Sequence, residues 1–312
     1  MFQIKYKIER SIVINKDIDS VFDCVANFNS WASWSPWLCL EKDAETSIEG
    51  EPQNLGHKQS WQGQRIGSGK IAISNLDINK SLHYDLEFLK PFKSSAKVDF
   101  YFEQQASGTR VRWLMQSSVP FYLFFLKDML AAMLGNDYER GLSMLKEFLE
   151  TGEVLSEIDM LGKIQKPAFH YLGVRRSSSI DELPKIMQQD FELIHKYMQE
   201  GKIKSSQQMI SFYHKFDFMR NQAVYTNAVV YDSEQGPYTE LKSGYVPNHH
   251  CAQVLHTGSY ENLGNAWSAI MNYQRFEKLK ANKNIPWYEW YINSPKEVEK
   301  RYLKTSINLP IK

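Results

Sequence analysis

The sequence predicts an α+β protein made of two units of similar size. Three observations carry that expectation. Short alternating runs separated by turn signals occupy 2–15 and 56–118, and a long helical pattern then runs to about Thr151. A polar, acidic stretch, ETGEVLSEID, follows at 150–159. After it the pattern strand, helix, strand, strand occurs twice. With 312 residues, the chain has room for two domains of ordinary size.

Composition narrows the possible functions. Hydrophobic residues make up 43% and aromatic residues 13%, enough for full cores. Lys+Arg is 37 against Asp+Glu 36, a net charge of +1, which argues against a dedicated nucleic-acid surface. Cys24, Cys39 and Cys251 show no ligand spacing and read as reduced thiols of a cytosolic protein. Neither metal nor cofactor is expected. The opening MFQIKYKIERSIVI lacks the apolar run and cleavage site of a secretory signal, so a cytoplasmic location is expected. The most apolar segment, 119–134, is interrupted by Lys127 and Asp128 and is too short to span a bilayer. It reads as a core helix or pocket wall, with no membrane partner.

In the first unit, 2–15 alternates as a strand with Ile8, Ile12 and Ile14 on its apolar side. Asp17 or Asp19 then caps a helix carrying Val21, Phe22, Val25 and Ala26. The run FNSWASWSPWL, 28–38, reads as a loop or short helix of high apolar content. Strands are expected at 56–64, 69–77, 81–88, 94–104 and 109–118. Turns at Gly67-Ser68-Gly69, Asn79-Lys80, Pro91 and Ser107-Gly108 separate them. Leu130, Met133, Leu134, Leu142, Leu145, Phe148 and Leu149 give the final helix its apolar face. His57 and His83 fall on strands, where a lone histidine is a solvated or satisfied side chain. This order of elements is a helix-grip arrangement, an antiparallel sheet wrapping a long C-terminal helix. The opening IVINKDIDSVF together with Trp31-Ala32-Ser33-Trp34-Ser35-Pro36 resembles the START-like, or SRPBCC, family, which includes polyketide cyclase/dehydrase-like proteins. That resemblance implies an apolar cavity between sheet and helix and transfers no catalytic motif.

The expected division is a first domain at 1–151, a linker at 152–162 and a second domain at 163–312. The first repeat has a strand at 168–176, a helix at 180–200 and strands at 207–216 and 223–231. Leu183, Ile186, Met187, Phe191, Ile194 and Met198 form the helix core face. The second repeat has a strand at 250–257, a helix at 261–280 and strands at 287–292 and 301–309. Two β-α-β-β units in tandem imply pseudo-two-fold symmetry. His249 and His250 are adjacent on a strand, point to opposite faces and do not form a metal pair.

The chemistry concentrates in WYEWYINSP, 287–295. Alternation puts Trp287, Glu289 and Tyr291 on one face, a carboxylate flanked by two rings. On an edge strand Glu289 would be solvated; lining a cavity, it would meet a ligand cation or donor and the rings would stack on an apolar or cationic body. WYEWYINSP, the upstream LHTGSYENLGNAW at 255–267 and the closing TSINLPIK at 305–312 together resemble the GyrI-like small-molecule-binding domain, the effector-binding domain of many AraC- and MerR-type activators. The resemblance implies a duplicated architecture with its ligand pocket between the halves, Glu289 as pocket glutamate, and Tyr291 and Tyr260 as its aromatic partners. Periodicity adds Trp267 and Trp287.

Three functions follow. The preferred one is a small-molecule-binding protein, a sensor or sequestering protein for an amphiphilic or cationic ligand. The second is a hydrolase of small electrophiles with Glu289 as general base and a tyrosine as proton partner. The third is a regulator acting through a protein partner, such as gyrase in the inhibitor branch of the family. The first half reads as β-rich, not as a helix-turn-helix bundle, so direct DNA binding is not expected.

Overall fold

The computed structural model describes residues 3–200, 203, 208–217, 220–231 and 240–312. Phe2 and Gln207, where two expected strands begin, lie outside the described residues. The chain divides into two compact units, Met1–Val154 and Leu155–Lys312.

The first unit opens with β1 (Gln3–Ile14), followed by α1 (Ile18–Ala26) and α2 (Phe28–Trp34). Asp17 caps α1 by accepting the Ser20 backbone N–H at 2.8 Å, and Asn27 does the same for α2 through Asn29 at 3.0 Å. Then come β2 (Glu45–Glu49), β3 (Lys58–Gln62), β4 (Ser68–Asp77), β5 (Ser81–Lys90), β6 (Ser94–Gln105) and β7 (Gly108–Pro120). A short 3-10 turn, Phe121–Leu126, leads into the long α3 (Lys127–Thr151). The seven strands form one antiparallel sheet in the order β1-β7-β6-β5-β4-β3-β2. The turn expected at Gly67-Ser68-Gly69 comes earlier, since Ser68 and Gly69 already belong to β4. It is pinned by the buried Glu41 carboxylate, which accepts the backbone N–H groups of Gln64, Arg65 and Ile66 at 2.8, 2.9 and 2.9 Å.

Aromatic rings occupy the space between α3 and this sheet, where the family resemblance implied an apolar cavity. Trp113 of β7 stacks on Tyr138 of α3 with centroids 4.0 Å apart, and Phe100 stacks on Trp113 at 4.8 Å. Trp31 and Trp34 of α2 pack into the same cluster. His57 is satisfied, its Nε2 accepting the Phe28 N–H at 3.1 Å and its Nδ1 3.0 Å from the Gly50 carbonyl. His83 bonds Asp99 at 2.7 Å and Ser81 at 3.2 Å.

The second unit begins with β8 (Ser156–Lys166), so most of the stretch expected as a linker is strand. Its acidic residues hid a clean alternation in which Ile158, Met160 and Ile164 turn inward. The first repeat is β9 (Phe169–Ser178), α4 (Leu183–Gln199), β10 (Met209–Asp217) and β11 (Gln222–Tyr231). After β12 (Lys242–Val246) the second repeat is β13 (His249–Gly258), α5 (Leu263–Phe276), β14 (Trp287–Tyr291) and β15 (Lys304–Ile311). The sheet order is β12-β9-β11-β10-β14-β15-β13-β8. The two repeats meet at the β10–β14 seam, where Ser211 pairs with Glu289. The strand preceding each repeat closes the outer edge of the other: β8 pairs with β13, and β12 with β9. This exchange follows the pseudo-two-fold.

Helices α4 and α5 cover one face of this sheet. Leu172, Val174, Ile194 and Val229 form the core under α4. Ala252, Val254, Ala266, Ile270, Ile307 and Leu309 form the core under α5. The turn from β13 toward α5 needs Gly258. Its φ is +137°, and a Cβ there would sit 2.1 Å from the Leu155 carbonyl oxygen. Of the two adjacent histidines, His249 is buried and His250 exposed, as opposite faces require.

Candidate functional site

Strand β14 lies between β10 and β15, not at an edge, and it turns Glu289 toward the helix-covered face. Glu289 is 3% exposed. Three neutral donors converge on it. Trp267 Nε1 of α5 donates to Oε1 at 2.6 Å. Tyr291 and Tyr213 donate their hydroxyls to Oε2 at 2.6 and 3.0 Å. Among the described residues no Lys, Arg or His lies within ion-pair distance of this carboxylate. Burial pushes its pKa above the ordinary 4.5, and the three hydrogen bonds pull only partly against that.

The five residues expected from sequence gather here. Trp287 stacks on Trp267 at 6.1 Å with planes 26° apart. Tyr260, in a 3-10 turn before α5, packs edge-on against Tyr291 at 5.5 Å and donates to the Asn293 carbonyl at 3.4 Å. Trp267 is half-buried and does more than fill core, since its indole N–H meets the carboxylate. Burial and the nearby Glu289 raise the Tyr260 hydroxyl to about 12. Burial also drives Tyr213 and Tyr291 well above 10, so both remain donors at any physiological pH.

Sequence reasoning missed the first-repeat side of the site. Tyr213 packs edge-on to Trp267 at 5.4 Å, and Phe191 of α4 edge-on to Tyr291 at 5.6 Å. Alternation along 207–216 puts Ser211 and Tyr213 on one face, but only the seam pairing shows that this face adjoins Glu289. From Tyr291 a polar chain continues across the sheet. The Tyr291 hydroxyl lies 3.3 Å from Ser211 Oγ, Ser211 donates to Asn227 Oδ1 at 2.7 Å, and Asn227 Nδ2 donates to Asp190 Oδ2 at 3.1 Å. Arg176 Nε closes the chain on Asp190 Oδ1 at 2.7 Å. Asp190 is fully buried.

The arrangement is a buried, uncompensated carboxylate under a cluster of half-buried rings. Such a site offers a counter-charge and ring faces to a cation, and a carboxylate–phenol pair to a reacting molecule. Among the described residues no group of three or more His, Cys, Asp and Glu could hold a metal ion.

Comparison with known proteins agrees with this division. Residues 163–312 match the family described as GyrI-like small molecule binding domain. Residues 5–150 match the family described as polyketide cyclase / dehydrase and lipid transport. No curated protein matches the chain. Among solved structures, a Mesorhizobium loti protein is 12% identical with a TM-score of 0.38, covering 48% of this chain and 100% of its own. The C-terminal domain of EcmrR is 16% identical with a TM-score of 0.40, covering 51% of this chain and 99% of its own. The Aha1 dimer from Colwellia psychrerythraea is 17% identical with a TM-score of 0.35, covering 47% of this chain and 98% of its own. The chain thus joins a domain of the polyketide cyclase/dehydrase and lipid transport family to a GyrI-like small-molecule-binding domain.

Proposed function

We propose that the second domain binds a small amphiphilic cation, with Glu289 as its counter-charge and Trp267, Trp287, Tyr213, Tyr260 and Tyr291 as the aromatic wall. The observation that carries this reading is the missing partner charge. A carboxylate removed from water without a cation is costly, and a bound cation relieves that cost. The ring cluster supplies cation–π and apolar contacts. The Trp267 N–H takes one acceptor site of Oε1 and leaves the other for a ligand charge.

The test is a thermal-shift and calorimetric titration of the full chain with tetraphenylphosphonium and with a rhodamine dye. The wild type is expected to gain stability without consuming the probe. Glu289→Gln keeps the shape, removes the charge, and is expected to weaken binding about 10- to 100-fold. Equal binding by both proteins would overturn the role of Glu289.

A second reading rests on the 2.6 Å Tyr291–Glu289 contact, a donor and a base side by side. In it Glu289 takes a proton from a water that attacks a small electrophile, and a tyrosine supplies a proton to the leaving group. Disappearance of a reactive ester or epoxide with wild type, and its survival with Glu289→Gln, would favour hydrolysis over binding.

A further inference from the structure

Part of the apolar segment 119–134, expected to be core or pocket wall, is at the surface. Phe121, Tyr122 and Phe125 are 62%, 60% and 64% exposed, and Met129 and Met133 of α3 are exposed as well. A second exposed apolar group lies where β5 runs into the turn before β6, with Phe92 in the turn 81% exposed and Leu89 near the end of β5 exposed as well. Strand register brings the two groups to one end of the first sheet. Phe88 pairs with Ser94 across the β5–β6 hairpin, Lys97 with Gln116, and Gln3 with Pro120, so this turn and the exit from β7 are neighbours. Next to them is an open depression of about 550 Å³ lined by Lys5, Lys7, Lys97, Ser95 and Ser117, with Asp85 and Glu87 on its walls.

The charges at this end are not balanced like those of the whole chain. Lys7 pairs with Glu9, Lys97 with Asp85, and Lys70 with Glu87. Lys5, Lys90, Lys93 and Lys127 have no acidic partner among the described residues, and only Asp128 stands against them in the apolar segment. Lys90 and Lys93 bracket Phe92 in sequence. Single exposed apolar residues need no explanation, but seven at one end of a sheet, rimmed by lysines, mark an interaction surface. An isologous contact with a second copy would set these lysines against each other. A surface of phosphates does the opposite.

We propose that this end of the first domain docks onto the surface of a bilayer containing anionic lipid. Phe92, Phe121, Tyr122 and Phe125 enter the boundary between headgroups and acyl chains, and Lys5, Lys90, Lys93 and Lys127 lie over phosphates. The contact is with the surface of the bilayer, not across it. The depression beside the rings is then positioned over the headgroup layer.

The test is flotation of the full chain with vesicles of phosphatidylcholine alone and of phosphatidylcholine mixed with phosphatidylglycerol. Binding is expected to the mixed vesicles and to weaken as salt rises. Lys90→Gln with Lys93→Gln is expected to lower partitioning into mixed vesicles about 30-fold. Phe92→Ser with Phe121→Ser is expected to lower it about tenfold or more. These side chains are exposed, so both variants fold. Failure of the wild type to float with mixed vesicles, or flotation unchanged in both variants, would overturn the proposal. So would light scattering that shows a dimer lost in Phe92→Ser, which assigns this end to a second copy of the chain.

Discussion

The two repeats of the second domain place different chemistry at equivalent positions. Along the seam MISFY of β10, Met209–Asp217, corresponds to WYEWY of β14. Tyr213 and Tyr291 are equivalent, and both donate to one carboxylate. Ser211 stands where the other repeat has Glu289, and Met187 stands where it has Trp267. The first repeat carries its buried acid on the helix, as Asp190, with Asn227 on β11 to receive it. The second has Ile270 and Ile307 at those places, both buried. Asp190 thus has a guanidinium and an amide for company, whereas Glu289 has only neutral donors. One scaffold holds two buried carboxylates, one paired with a guanidinium and the other met only by neutral donors.

Restoring symmetry is expected to have the largest effect. Ser211→Glu sets a second carboxylate directly opposite Glu289, and two such groups cannot both ionise at neutral pH. A loss of about 3 kcal/mol in urea unfolding is expected at pH 7, shrinking toward acid pH. No pH-dependent loss would mean the two positions do not face one another. Next in size is Asp190→Ala, which strands Asn227 and Arg176 and should destabilise the domain by about 2 kcal/mol. Glu289→Gln should lose little or gain, since it leaves no buried charge unpaired. Equal losses from the two would erase the distinction between the acids.

The pH dependence sharpens the same contrast. The Glu289 pKa is raised above 4.5 in the folded chain, so its contribution to stability is fully present below 4.5 and is lost as pH rises through the raised value. Wild type should therefore weaken relative to Glu289→Gln by about 1.4 kcal/mol per pH unit across that window. Cation affinity should move the other way, rising with pH until Glu289 is fully ionised. Flat difference curves in urea titrations from pH 4 to 8 would contradict the uncompensated carboxylate. The smallest effect is reserved for Tyr213→Phe, which removes the longer of the two phenol bonds and is expected to cost about 1 kcal/mol while raising the Glu289 window less than Tyr291→Phe does. If instead the two tyrosine variants behaved alike, the short 2.6 Å bond of Tyr291 would carry no special weight.

Much of this was legible in the sequence, for identifiable reasons. Period-two alternation fixed which face of 287–291 carries Trp287, Glu289 and Tyr291, and helical spacing placed Trp267 over it. The Gly258 turn marked the way into α5, because only glycine tolerates the carbonyl beside it. What local pattern does not encode is which strands become neighbours. Tyr213 and Ser211 join the site through the β10–β14 seam, a pairing set by the fold of both repeats. The exposure of Phe121, Tyr122, Phe125, Met129 and Met133 is not legible in the sequence, because apolar content alone does not tell which side chains of a segment face the core.

The exchanged edge strands have a consequence for synthesis. Ser156 of β8 pairs with Gly258, about a hundred residues later in the chain. At the usual pace of translation β8 therefore waits about 5 to 20 s for its partner. An unpaired strand invites pairing with other chains, and charge on its exposed side is the usual safeguard. Glu157 and Asp159 occupy that side of β8, so the same acidic residues that disguise it as a linker protect it until β13 emerges.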